Sequence, residues 1–376
     1  MKYYLMNKNI PIALVELDGN TFKTVKILKN ITVLKDLNAL LNERFTPVNR
    51  KNTQDILKKM GIKSTEEFID ATGAVSVVDA FWIRGLDDNR KWDDINPYTN
   101  ELDEVASNIN LGLEYDGEIH RKATPELTLD GSFDKCWIRK DGEIYLLKLS
   151  RPKWSESTGN ESYSEVLCCQ LAKALGIDRY VEYTCKERFM RNNDKVIQTE
   201  CKCFASEDIS YLPIAYTPFE HYDELQINEV YKRYGDDKLY RLMLLMDCLT
   251  MNTDRHTGNY GFIYDNNTLK IIGMAPVFDN NMAFLPNMPL TEYADVMRVM
   301  SISRPSGGNF ESFAELGAKL VSIDKELGAR LNRLDGFEFH RTYGMESLSD
   351  KRLKFCTKLV QRQIHEIARE YKNMNH

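Results

Sequence analysis

Residues 238–252 read "KLYRLMLLMDCLTMN", a run that is apolar on almost every side of a helix. A helix of that kind is buried rather than laid on a surface, so the chain around it must supply a shell of further elements. Directly after it the sequence turns polar, "NTDRHTGN", and then apolar again in "YGFIY". Asp254 and Asn259 stand five residues apart in that break. A turn built from Asn, Thr, Asp and Gly is the plain reading of such a stretch. The alternative is a site carried between a buried helix and a strand.

Three textures follow one another along the chain. Residues 1–120 mix strand-like pieces ("PIALVEL", "FKTVKIL") with amphipathic runs ("LKDLNALLNERF", "NTQDILKKMG"), an α/β pattern. In "STEEFIDATG", Ser64 precedes Glu67 by three residues, a helix-capping signature. The acidic stretch "LDDNRKWDDINPYTNELDE" is expected to be a long surface connection. Residues 121–205 are β-rich: two alternating runs joined by "RKDGE" predict a hairpin, because Asp-Gly supplies the positive φ of a tight turn. A helix through "NESYSEVLCCQLAKALGI" follows, ending near Gly176, and then two strand-like runs around "YVEYTCKERFM" and "KVIQTECKCFAS". Residues 206–376 are mostly helical, apart from a hairpin about Asp265-Asn266-Asn267.

Fifty basic and fifty-six acidic side chains leave a formal charge of −6, which offers no broad field for nucleic acid or an anionic membrane. No stretch of about 18 apolar residues occurs, and the first residues carry no secretory pattern, so a cytoplasmic protein is expected. The eight cysteines fall inside regular strand and helix patterns, without a C-x-x-C pair, and read as free core thiols rather than disulfides or zinc ligands.

Transfer of a phosphoryl group from ATP asks a protein chiefly for positioning and charge neutralisation. It needs a strand lysine for the phosphates, a helix acid to hold that lysine, and a carboxylate to orient the hydroxyl. An amide and a second carboxylate must hold Mg²⁺, a metal that takes few protein oxygens. Lys148 ends the strand-like run "EIYLLKLS", and Glu165 follows seventeen residues later on a helix face of small apolar residues. Asp254 and Asn259 carry the D-x-x-x-x-N spacing of a kinase catalytic loop, and Asp279 in "APVFDNN" comes twenty residues after Asn259. Taken singly, each has a bland reading: a surface lysine, a solvated glutamate, a turn made by an Asx side chain. All of them in this order point to phosphoryl transfer.

"MNTDRHTGNYGFI" followed by "IIGMAPVFDNNMAF" resembles the paired N-x-D-R-H-x-x-N and P-x-[YF]-D motifs of the HipA-like serine/threonine kinases. The resemblance implies an α+β, two-lobed protein-kinase-like fold. Residues 121–205 would form the β-rich N-lobe and 206–376 the helical C-lobe, while 1–120 would be an N-terminal α/β extension of unknown role that does not match the N-terminal unit of the best-known toxin kinases. It implies ATP and Mg²⁺ as cofactors, Asp254 as the base, and Asn259 and Asp279 as the metal ligands. Lys148 then binds phosphates with Glu165 as its partner, Cys203 and Phe204 lie at the adenine hinge, and Arg255 and His256 hold the loop's shape. The phosphate loop "LDGSFDKCW" contributes Gly131, Ser132 and Lys135. Some family members autophosphorylate a serine beside this loop, and Ser132 is the residue in that place. Met251 stands before Asn252 where the family often has glycine.

Protein substrates come first in this reading, with an antitoxin or other regulatory protein as a partner and neither nucleic acid nor membrane expected. Two alternatives keep the fold: a lipid or small-molecule kinase, and a catalytically silent regulatory binding module. Residues 281–300 carry one arginine and two acids, against the basic segment a lipid kinase needs. The full polar set counts against a silent fold.

Overall fold

The computed structural model describes residues 1–29, 37–44, 51–113, 116–120, 125–129, 133–150, 159–190, 194–288, 290, 305 and 310–374. Antiparallel strands and helices share the chain as an α+β fold, and its contacts divide it into two compact units. The first holds Met1–Leu149, Glu200–Glu220 and Gly261–Ile272; the second holds Ser150–Thr199, His221–Tyr260 and Gly273–His376.

In the first unit, strands β1 (Lys2–Asn7), β2 (Ile10–Asp18), β3 (Thr21–Ile27) and β4 (Phe81–Gly85) form a sheet of order β3-β2-β1-β4, antiparallel throughout. "PIALVEL" and "FKTVKIL" fall in β2 and β3. The sheet's inward residues, Leu5, Ala13, Val15 and Phe22, meet one side of helices α1 (Leu37–Arg44), α2 (Lys51–Lys59) and α3 (Thr65–Thr72), which contribute Leu41, Ile56 and Ile69. Ser64 caps α3 by accepting the Glu67 N–H, as its spacing predicts.

The acidic stretch after β4 is not a bare surface connection. It contains the short helix α4 (Trp92–Ile95), whose Trp92 and Ile95 are buried with Trp82 and Met6. The area one indole buries outweighs the polar residues around it. Helix α5 (Glu104–Asn110) follows, with Asp103 accepting the Ala106 N–H at its start.

Strands β5 (Lys135–Lys140) and β6 (Glu143–Leu149) make the predicted hairpin, with Asp141 and Gly142 at φ 52° and 82°. Strands β9 (Ile209–Pro213) and β10 (Gly261–Asp265) pair antiparallel in the same unit and bury Leu212 and Tyr264 in the core that holds Leu5 and Ile69. Residues 1–113 therefore share one hydrophobic core with segments from the middle of the chain. Buried Asn266 joins them by polar contacts: its carbonyl accepts from the Asn7 amide and its side-chain oxygen from the Ser210 hydroxyl.

The second unit is built on helix α8 (Asp237–Thr250), the apolar run of the sequence, buried from Leu239 to Thr250 except at Arg241. Helices α6 (Asn160–Leu175), α7 (Glu224–Lys232), α9 (Phe313–Ile323) and α11 (Asp350–Asn373) pack on it. Helix α10 (Lys325–Arg333) lies between the last two in sequence. Strands β7 (Tyr183–Phe189) and β8 (Lys195–Lys202) are neighbours in a sheet. Among the described residues no helix is long and apolar enough to cross a membrane, and all eight cysteines are free thiols.

Candidate active site

Helix α8 ends at Met251, whose backbone is left-handed at φ 51° and whose N–H donates to the Asp247 carbonyl. Asn252 folds back in the same way, its N–H reaching the Asp247 carbonyl and its Nδ2 the Asp247 Oδ1 at 2.9 Å. Its own Oδ1 then accepts the Asp254 N–H at 3.2 Å, so the loop begins in a fixed direction. Such a backbone favours glycine, which takes a positive φ without strain, and this chain carries Met251 there.

Asp254 is half-buried, and the loop tightens behind it. The His256 N–H donates to the Asp254 carbonyl, and the Asn259 N–H to the His256 carbonyl, each at 2.9 Å. Asn259 returns its Nδ2 to the Asp254 carbonyl at 3.0 Å. That bond spends the donating end of the amide on the loop and leaves Oδ1 as the end that accepts. Exposed His256 stays within its own turn, where its Nδ1 accepts the Gly258 N–H at 3.0 Å.

Arg255 is buried and carries most of the site's internal bonding. Its Nε and Nη2 meet the two oxygens of Asp247 at 2.9 and 3.0 Å, a forked pair with both side chains about 5% exposed or less. Nη1 donates to the carbonyls of Asn259 and Phe278 at 3.1 and 2.7 Å, and Nη2 also reaches Asn280 Oδ1 at 2.6 Å. Burial opposes the charge on the guanidinium, but the carboxylate of Asp247 outweighs it and holds Arg255 protonated.

Asp279 sits at φ 53°, a left-handed conformation that an aspartate adopts at a cost of order 1 kcal/mol. Its neighbours hold it there. The Asp279 N–H donates to the Tyr183 hydroxyl at 3.3 Å, and the Asn280 N–H to Glu165 Oε2 at 2.7 Å. Helix α6 grips the segment again further on, where the Ser164 hydroxyl donates to the Ala283 carbonyl at 2.7 Å and Asn160 Nδ2 to the Pro286 carbonyl at 3.0 Å. Helix α6 and the loop after α8 thus both hold the segment around Asp279, and they meet at Asn280.

In the first unit, Lys135 and Lys148 face each other directly across the β5–β6 pair. Lys148 is buried, and its Nζ lies 4.9 Å from the centre of the Phe133 ring. Cys203 donates its N–H to the Ile144 carbonyl at 2.8 Å, while burial pushes its thiol up to about 12. Phe204 packs edge-on against Tyr211 at 5.6 Å.

The second unit therefore brings together Glu165, Asp254, Arg255, Asn259 and Asp279, and the first brings together Lys135 with Lys148 and holds Cys203 and Phe204. Gly131 and Ser132 lie outside the described residues. Asp247, Tyr183 and Asn280 were missed by the sequence reading. A single carboxylate inside the apolar stretch 242–249 was the available signal for Asp247, because a buried charge demands a partner.

A family model described as the HipA-like C-terminal domain matches residues 127–337, more than half of the chain. The chain is also similar to CtkA, a proinflammatory kinase of Helicobacter pylori known from a crystal structure. The two are 17% identical, with 65% of this chain and 92% of that chain covered and a TM-score of 0.43. No curated protein matches this sequence. The match over residues 127–337 takes in Lys135, Lys148, Glu165, the loop from Asp254 to Asn259 and Asp279, and it settles the family: the chain belongs to that of the HipA-like C-terminal domain.

Proposed function

We propose that this protein is an ATP- and Mg²⁺-dependent kinase that phosphorylates serine or threonine hydroxyls of proteins. Membership of the HipA-like family supports a kinase-type activity. The observation that carries the reading is the joint restraint of Asn259 and Asp279 by Arg255, which bonds to the carbonyls of Asn259 and Phe278.

The donor set suits the metal. One amide oxygen and one carboxylate are hard ligands, and Mg²⁺ takes the rest of its shell from water and phosphate. Asn259 Oδ1 and the Asp279 carboxylate would hold the ion. When bound, Mg²⁺ supplies neutralisation of the charge on the phosphates.

In this reading Lys148, with Lys135 across the hairpin, binds phosphate oxygens. Cys203 and Phe204 line the adenine side. Asp254 accepts the hydroxyl proton as the acceptor oxygen forms its bond to phosphorus and the bond to ADP breaks. Asp254 is half-buried and its backbone is tied on both sides, so the carboxylate is placed but reachable.

The test is ADP formation from ATP and Mg²⁺ with a mixed protein acceptor. Replacing Asp254 by Ala should lower the rate by about 10²–10⁴-fold, the usual contribution of a general base. An unchanged rate in Asp254→Ala would remove that residue from the chemistry.

A further inference from the structure

We infer that Asp247, a residue of helix α8 that lies outside both motifs, is a positioning residue for the two metal ligands and acts through Arg255. The inference rests on the phosphotransfer reading above. Asp247 binds both ends of the loop's first turn: its carbonyl accepts the N–H groups of Met251 and Asn252, and its Oδ1 accepts from Asn252 Nδ2. The same carboxylate grips Arg255 at two points, 2.9 and 3.0 Å.

A planar guanidinium held by a fork has one orientation. Arg255 then spends its remaining directions on the Asn259 carbonyl, the Phe278 carbonyl and Asn280 Oδ1. One of these acceptors belongs to the first metal ligand, and the other two flank the second. The separation of Asn259 and Asp279 is thereby set by a single rigid group whose angle Asp247 dictates. Asn280 is the junction, since its side chain answers to Arg255 and its N–H to Glu165 on helix α6.

A purely structural pair would stabilise the fold without touching metal affinity. A positioning pair acts on the part of nucleotide binding that depends on the metal, because outer partners of ligands typically change metal affinity by about 10–100-fold. The experiment is calorimetric titration of the full chain with ATP in Mg²⁺ and with ATP in EDTA, for the wild type, Asp247→Asn and Asn280→Ala. The wild type should bind ATP more tightly with Mg²⁺ than without it.

Asp247→Asn should reduce that gain by about tenfold or more, with the affinity for metal-free ATP unchanged. Asn280→Ala removes an acceptor of Arg255 while leaving the Asp247–Arg255 pair intact. It should lower the gain as well, and it decides the matter if Asp247→Asn does not fold. A full wild-type gain in a folded Asp247→Asn protein, or in Asn280→Ala, overturns the inference. Absence of any gain in the wild type itself would instead strike the phosphotransfer reading beneath it, and would be seen before any variant is compared.

Discussion

Arg255 makes five bonds to protein acceptors while buried, and the sequence places it only as one letter of a motif. What it does follows from burial: a desolvated guanidinium must be matched donor by donor, or its charge costs several kcal/mol. Met251 is a second residue whose reason is local. Its left-handed backbone costs roughly 1–2 kcal/mol relative to glycine, yet its side chain is fully buried. Deleting a buried Met side chain costs about 2–5 kcal/mol, so the packing term wins. Met251→Gly should therefore destabilise the protein by about 1–3 kcal/mol in urea unfolding, in spite of the family's glycine; a more stable variant would show the backbone term to be the larger. The motif residues Asp254, Asn259 and Asp279 were legible because their spacing survives in one dimension. Asp247 was not, since nothing along the chain tells which buried acid faces which arginine.

Elements with strong local signals form where the sequence places them. The Asp141-Gly142 hairpin, the stop of helix α6 at Gly176 and the wholly buried α8 each obey a rule that needs only near neighbours. The stretch 86–104 did not follow its polarity, because a single Trp92 in a pocket fixes a helix that its acidic neighbours would leave on the surface. Strand β10 depends on a close approach that glycine alone permits. A Cβ built on Gly261 would lie 2.1 Å from the Leu212 carbonyl oxygen on the paired strand β9. Backbone cannot give way as a side-chain tip can, so Gly261→Ala should force the strands apart and cost about 1–3 kcal/mol. Chemical denaturation of the variant checks this, and a midpoint equal to that of the wild type would contradict the geometry.

Over the whole molecule, two features emerge only in three dimensions. Residues 1–113 share a core with segments 212–216 and 264–269, through Leu212, Tyr264 and Leu269. Long-range contacts of this kind have no periodicity to betray them. The second feature is a set of buried and half-buried thiols. Burial pushes Cys169, Cys185 and Cys203 up to about 12 and Cys356 up to about 11. In the unfolded chain these thiols lose their protons near pH ~8.5. Between that value and about 11, the folded state binds more protons, so stability is intact below pH ~8.5 and falls as pH rises. The thermal midpoint should thus drop from pH 7.5 to 9.5, and a flat profile would show the thiols to be accessible. Phosphoryl transfer itself is read from intact mass after incubation with Mg-ATP, comparing the wild type with Asp254→Ala and Asp279→Asn in the presence of a protein acceptor. Phosphate on wild-type protein or acceptor, and none with either variant, is the predicted result. Equal phosphate with all three proteins, or none with any while Mg-ATP fails to bind, would contradict it.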